Sequence, residues 1–258
     1  MENDTAVIWS GKLPTGIEKI LREVLDQGTR QNRKINVFFR ADDIARVDES
    51  FSRLMHLFLS SRTPLCLAVV PGWLEENEWK EMQQFNPVNS SWCWHQHGWS
   101  HTNHEAHGKK NEFGPSRSRD DVFHDLDKGR KHLTALLGDL FYPVFTPPWN
   151  RCSTFTLELL EKLDFRAVSR SLHAKPLYQG KLPDLAINVD LHTRKEKDWQ
   201  EGWNQLLTDF RLAACSGRIG LMLHHLKMND AAFEFLSFLL SLLHENPATV
   251  FTTFRELT

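Results

Sequence analysis

The stretch Ile35-Asn36-Val37-Phe38-Phe39-Arg40 decides the fold, because two acids, Asp42 and Asp43, follow it almost at once. Apolar, β-branched and aromatic residues crowd it without helical spacing, which predicts a buried strand. Beyond Asp48, a suitable helix N-cap, Phe51, Leu54, Met55, Phe58 and Leu59 recur at i, i+3, i+4, i+7 and i+8. That is the spacing of an amphipathic helix. Residues 65–70 (LCLAVV) form the next strand, stopped by Pro71-Gly72. The same reading predicts strands at 92–95, 142–145, 166–169, 185–190, 219–224 and 248–252. Helices are predicted at 75–84, 117–137, 155–163, 199–215 and 231–243. No element is assigned before Ile35. Strands that alternate with helices imply βα units and a mostly parallel sheet, a barrel or a large open one. In such folds functional residues gather beyond the C-terminal ends of strands. The polar residues of this chain follow that rule. Asp42 and Asp43 follow the first strand, His97 and His101 the third, and Pro147-Pro148-Trp149-Asn150 the next. Asp190 and His192 end a later strand, and His224-His225 ends the one after it.

The composition narrows the class. Hydrophobic residues make up 41% and charged residues 25% of the 258, which excludes a disordered chain. Thirty-one Lys and Arg against thirty-three Asp and Glu leave a formal charge of -2, so no basic face for nucleic acid is expected. The longest apolar run, residues 65–70, is far short of the roughly 20 residues of a membrane span. Met1-Glu2-Asn3-Asp4 is acidic and carries no apolar leader, and Cys66, Cys93, Cys152 and Cys215 form no CxxC pair. The expectation is a cytoplasmic protein with reduced thiols. No repeat or linker-like tract is evident, so residues 1–258 read as one domain.

Chemistry concentrates in the histidines. His97-Gly98-Trp99-Ser100-His101 puts two imidazoles at i and i+4, which on a helical turn would share one face and could share one cation. Five of the thirteen histidines fall between His95 and His107, so an exposed His-rich loop is the plainer alternative. His104 and His107 lie beyond the turn and read as surface. Adjacent acids at a strand end point to opposite sides, so of Asp42 and Asp43 one can bind a metal while the other serves as base. A loop start or helix cap is the bland alternative. His224 suits general acid–base work because imidazole titrates near neutrality. Trp92, Trp94, Trp99 and Trp149 flank these sites and could stack on sugar rings or simply pack in the core. No GxSxG elbow, Walker loop, strand-linked GxGxxG or HExxH occurs, which disfavours serine-hydrolase and nucleotide chemistry.

Taken in order, Ala41-Asp42-Asp43-Ile44, the His97–His101 pair, Phe145-Thr146-Pro147-Pro148-Trp149-Asn150 and Met222-Leu223-His224 resemble the motifs of the polysaccharide deacetylase (NodB-homology) family of carbohydrate esterases. The resemblance covers roughly residues 35–225. It implies an α/β fold, a distorted (β/α)7 barrel. It also implies a divalent metal on Asp43, His97 and His101, with Asp42 as catalytic base and His224 as catalytic acid. Zn²⁺ is the expected ion, with Co²⁺, Ni²⁺ or Fe²⁺ as alternatives. Supporting or substrate-binding roles fall to Arg40, Trp99, Pro148, Trp149, Asn150, Arg151, Asp190 and His225. Several positions depart from the pattern. Ile44 stands for the glycine after the acids and Thr146 for the arginine that pairs with the base. Met222 replaces a leucine, and His225 the aspartate after the acid. Arg40, two residues before Asp42 and so on the same strand face, is the first candidate to replace that arginine, and Arg151 the second. The implied activity is N-deacetylation of an N-acetylated sugar or sugar-containing precursor, a small molecule or an oligosaccharide. A cyclic-amide hydrolase of the allantoinase type and a non-catalytic carbohydrate-binding relative are the alternatives.

Overall fold

The computed structural model describes residues 5–32, 34–86 and 90–258; the acidic start Met1-Glu2-Asn3-Asp4 lies outside them. Eight strands and eight α-helices are present among the described residues. In chain order they open with α1 (Ile17–Gln31), β1 (Ile35–Ile44), α2 (Glu49–Ser61) and β2 (Leu65–Val69). Then come α3 (Glu76–Met82), β3 (Trp92–His97), α4 (Arg119–Leu137), β4 (Phe141–Thr146), α5 (Thr154–Lys162) and β5 (Ala167–Val168). The chain closes with β6 (Val189–Asp190), α6 (Trp199–Cys215), β7 (Arg218–Leu223), α7 (Asp230–Glu245), β8 (Thr249–Phe251) and α8 (Phe254–Leu257).

The chain packs as two compact units. The first comprises the described residues up to Ala41 with Asp48–Leu65 and Asn188–Thr252. In it β1 lies between β7 and β8, and β6 lies beyond β7, all parallel. The register sets Arg40 opposite Met222 and Ala41 opposite Leu223. Helices α1 and α6 approach so closely that a Cβ at Gly28 would stand 2.8 Å from the Ala214 carbonyl oxygen. Asn32 seals that contact by donating to the Cys215 carbonyl at 2.7 Å. A short 3-10 turn, Val7–Trp9, buries Trp9 against Trp203 and Phe235. Neither that turn nor α1 is among the expected elements. Yet Ile17, Leu21, Val24, Leu25 and Gly28 are its buried face, at ordinary helical spacing.

The second unit comprises Asp42–Val47, Cys66–Ile187 and Thr253–Thr258. Its strands follow the order β5, β4, β3, β2, and the pairs β3–β4 and β4–β5 are parallel. β2 and β3 are buried at every position. Strands covered on both faces read as continuous runs rather than alternating ones. Phe113, Leu126, Phe145, Leu157, Leu160 and Val168 belong to one core cluster there. Gln96, fully buried, spends its amide on the carbonyls of Gly98 and Leu126. Gly129 of α4 leaves room for it, since a Cβ there would sit 2.3 Å from Gln96 Nε2.

Most expected strands and helices are present within a few residues. β1 differs most. It runs on through Ala41-Asp42-Asp43 to Ile44 instead of ending at Arg40, so the two acids belong to a strand end and not to a loop. The strand predicted at 185–190 shrinks to Val189–Asp190, because residues 184–187 make isolated bridges with 168–171 instead. No described helix is long and apolar enough to cross a membrane.

Candidate metal centre

Three side chains converge in the second unit. Asp43 leaves the end of β1, His97 ends β3, and His101 closes the turn that follows. Asp43 Oδ1 stands 3.2 Å from His97 Nε2 and 3.3 Å from His101 Nε2. Asp43, His97 and His101 form the one group of described residues whose candidate ligand atoms all lie within 4.8 Å of one another. Ligands bound at zinc-like distances around one ion are separated by about 3.0–3.4 Å, so the spacing fits a single cation.

The protonation pattern fits as well. His97 Nδ1 is 2.9 Å from the Thr146 carbonyl oxygen. Facing an acceptor, that nitrogen carries the proton, which leaves a lone pair on Nε2. A lone pair and a carboxylate oxygen at 3.2 Å repel unless a positive charge lies between them. A proton or a metal ion answers that need. Burial works against a charge on His97, but the hydrogen bond to Asp43 and the charges of Asp42 and Asp43 outweigh it, and its pKa lies above the ordinary value. Burial and the neighbouring His97 push His101 down to about 4, which keeps it neutral and ready to ligate.

The two imidazoles do not meet on a helical turn. The chain after β3 bends through Gly98 at φ 62° and returns through His101 at φ 57°. Asp43, Trp149 and Asn150 also have φ between 56° and 63°. Such backbone is costly outside glycine and collects where a site over-determines it. The turn is fastened from two sides. Gly72 N donates to the Trp99 carbonyl at 2.7 Å. Glu112, fully buried, accepts from Ser100 N at 2.7 Å and from Trp99 N at 3.3 Å. Burial raises the pKa of Glu112 above the usual carboxylate value, against the pull of those N–H groups.

Aromatic rings flank His101. Trp149 lies 4.5 Å away between ring centroids and Trp73 5.5 Å. Trp73 is 41% exposed, so one flank faces solvent. Trp99 turns elsewhere: its ring packs on α4, with the Lys128 ammonium 4.2 Å from its centroid and His132 beside it. Pro148 is buried against Gly98, where a Cβ would meet Pro148 Cγ at 2.6 Å. Thr146, also fully buried, has its hydroxyl 3.0 Å from His95 Nε2 while its carbonyl holds His97. Where the family pattern has an arginine, this chain has a residue committed to the histidines of β3. Arg151 donates to the Lys110 carbonyl at 3.1 Å, and His104 and His107 are exposed.

Of the remaining expected residues, Asp42 belongs to the second unit and Arg40, Asp190, His224 and His225 to the first. Asp42 is 2% exposed and Arg40 fully buried, where Arg40 Nη2 donates to Met222 Sδ at 3.0 Å. Asp190 closes its own turn, accepting from the backbone of His192 and Thr193 and from the Thr193 hydroxyl. His224 is half-buried and its backbone N–H donates to His192 Nδ1 at 3.2 Å. His225 is buried with its ring 5.9 Å from Phe51.

No family model matches the sequence, and no curated protein does either. Solved structures match at the level of shape. A Mycobacterium smegmatis protein assigned as a polysaccharide deacetylase matches with a TM-score of 0.58 at 14% identity, over 81% of this chain and 75% of that one. A family 4 acetyl xylan esterase from Clostridium thermocellum, in complex with a cobalt ion, gives 0.56 at 14% identity, over 86% and 89%. The fold is that of the polysaccharide deacetylases. The α/β class expected from the sequence, with its distorted barrel, is met at that level. The same deacetylase fold is found in a family 4 pseudoenzyme from Bacillus anthracis, which matches with a TM-score of 0.52 at 14% identity, over 83% of this chain and 62% of that one. The chain thus combines a deacetylase fold with an Asp–His–His cluster able to hold a cation. Trp73, Glu112 and the double service of Thr146 were not anticipated. The Pro71-Gly72 stop before Trp73 was a usable signal for the first, whereas the other two depend on contacts between distant segments.

Proposed function

We propose that the chain is a metal-dependent amide hydrolase that removes acetyl from an N-acetylated sugar or a sugar-containing precursor. The observation that carries this reading is the convergence of Asp43 Oδ1, His97 Nε2 and His101 Nε2, with His97 oriented by the Thr146 carbonyl. Those three would hold the cation, Zn²⁺ first, with Co²⁺, Ni²⁺ or Fe²⁺ as alternatives. When bound, it would polarise the amide carbonyl and make water acidic enough to attack at neutral pH. Asp42 takes the proton of the attacking water, and His224 gives one to the departing amine.

A buried carboxylate beside a cation site needs a nearby positive charge to orient it. Arg40 supports that role, because it is fully buried two residues before Asp42 on the same strand. An Arg40→Met variant that keeps its metal should shift the acidic limb of the pH–rate profile upward. The aromatic pair around His101 suits the flat apolar face of a sugar ring.

The test is acetate release from a panel of N-acetylated sugars and oligosaccharides, with and without a chelator. Acetate that appears only with metal, and vanishes in Asp42→Asn, supports the proposal. Ring opening of a cyclic amide without acetate release would favour the allantoinase-type alternative. Tight sugar binding without turnover would favour a carbohydrate-binding relative. Thr146 in the place of an arginine is the observation on that side.

A further inference from the structure

We propose that Glu112 is the positioning residue of the metal site. Its buried carboxylate shapes the turn that brings His101 back to Asp43, and its charge adds to that of Asp43 in drawing in a divalent cation. This rests on the reading of Asp43, His97 and His101 as a metal site.

The argument starts from the cost of the carboxylate. Glu112 is fully buried, and burying an ionised carboxyl is expensive unless it is well bonded. Its side chain accepts from Ser100 N at 2.7 Å, Ser100 Oγ at 3.2 Å and Trp99 N at 3.3 Å. These are the two residues immediately before His101. Successive backbone N–H groups curled about one anion form a nest, and here the anion belongs to the protein. Arg117 Nη1 donates to the Glu112 backbone carbonyl at 3.4 Å, while its ion pair is with Asp125.

Glycine permits the arrangement. A Cβ at Gly98 would fall 2.2 Å from Glu112 Oε2. Gly98 also takes φ 62°, so at this position the missing side chain and the backbone freedom serve the same contact. Glu112 is itself anchored. Phe113 pairs with Cys152, and the Phe113 carbonyl accepts from Ser153 N at 2.8 Å and Thr156 Oγ1 at 2.9 Å. On the other side Asn111 N donates to Asn103 Oδ1 at 2.9 Å, and Asn111 Oδ1 accepts from Phe113 N at 3.0 Å. The carboxylate is therefore a fixed post and the ligand turn is wrapped around it. Partners that orient metal ligands from behind are worth about 10–100-fold in metal affinity.

The experiment is calorimetric titration of Zn²⁺ into the metal-stripped full chain, paired with the visible absorption of the Co²⁺ form. Parent, Glu112→Gln and Ser100→Ala are compared, with circular dichroism and apo-protein melting as fold controls. Glu112→Gln should weaken Zn²⁺ binding by about 10–100-fold and change the Co²⁺ spectrum while the apo fold persists. Ser100→Ala, which removes one of three hydrogen bonds, should weaken binding less. If Glu112→Gln does not fold, Ser100→Ala is read in its place, and loss of its hydroxyl from the carboxylate should lower the affinity. Parent-like affinity and spectrum in the folded Glu112→Gln variant, or in Ser100→Ala where that one decides, would overturn the inference. A parent that takes up no metal at all fails the proposed function, and this inference with it, whereas a parent that binds beside variants that bind equally well sinks this inference alone.

Discussion

The molecule holds two groups of histidines, and their surroundings differ in kind. In the second unit His97 and His101 aim Nε2 at one carboxylate oxygen, 3.2 and 3.3 Å away. In the first unit His192 and His225 are buried among aromatics, with Trp9 5.9 Å from His192 and Phe51 5.9 Å from His225. His192 Nδ1 accepts the backbone N–H of His224, and its pKa lies well below the ordinary value through burial and the nearby His224 and His225. His97 turns one nitrogen to a carbonyl and the other to an acid, the arrangement of a candidate ligand. In the first unit burial instead pushes the pKa of His192 down.

The largest effects should separate the two groups outright. His97→Ala or His101→Ala should strip the metal with little loss of fold, while His192→Gln and His225→Ala should stay loaded. Elemental analysis of purified variants reads this directly, and equal loading throughout would erase the distinction. Next comes the division between adjacent acids. Asp43→Asn should weaken metal binding, whereas Asp42→Asn should keep metal and lose about 10²–10⁴ in kcat, the range for a general base. The reverse pattern would swap their roles.

Smaller effects sharpen the contrast. Trp73→Ala should raise KM for a sugar substrate by about 10-fold, the scale of one apolar contact in a binding site, and leave kcat and metal content unchanged. Trp73→Phe should recover most of it. Metal loss in Trp73→Ala would mean that the indole supports His101 and does not meet substrate. The buried His192 should leave a signature in stability. Its folded pKa is depressed, so below about pH 6.5 the unfolded chain binds a proton that the folded chain refuses. Stability should therefore fall as pH drops through that value, by up to about 1.4 kcal/mol per pH unit from this group. Urea unfolding of parent and His192→Gln at about pH 7.5 and 5.5 measures the difference. Identical losses in the two would show that His192 takes its proton in the folded state as well.

How much of this was legible in the sequence depends on the range of each contact. The strands from Ile35 onward were readable because apolar runs and βα alternation are local signals. Helix α1 carries an equally local signal in the spacing of Ile17, Leu21, Val24 and Leu25. The far end of Ile35–Ile44 is harder to read, because Asp42 and Asp43 look like loop residues although a buried strand end carries them. The Asp43–His97–His101 cluster is what the resemblance to the polysaccharide deacetylase motifs implies. The turn that closes it could not be read that way, because its shape depends on Gly98, on Glu112 eleven residues beyond His101 and on Thr146 in β4. Nor could spacing say that Trp99 would pack on α4 while Trp73 flanks His101.

The central claim is that Asp43, His97 and His101 hold a divalent cation. A crystal of the metal-stripped chain soaked in Zn²⁺, with an anomalous difference map collected at the zinc edge, tests it most directly. The account predicts one strong peak about 2.0–2.2 Å from Asp43 Oδ1, His97 Nε2 and His101 Nε2. A fully soaked crystal with its zinc elsewhere, or with none between those three atoms, would contradict it.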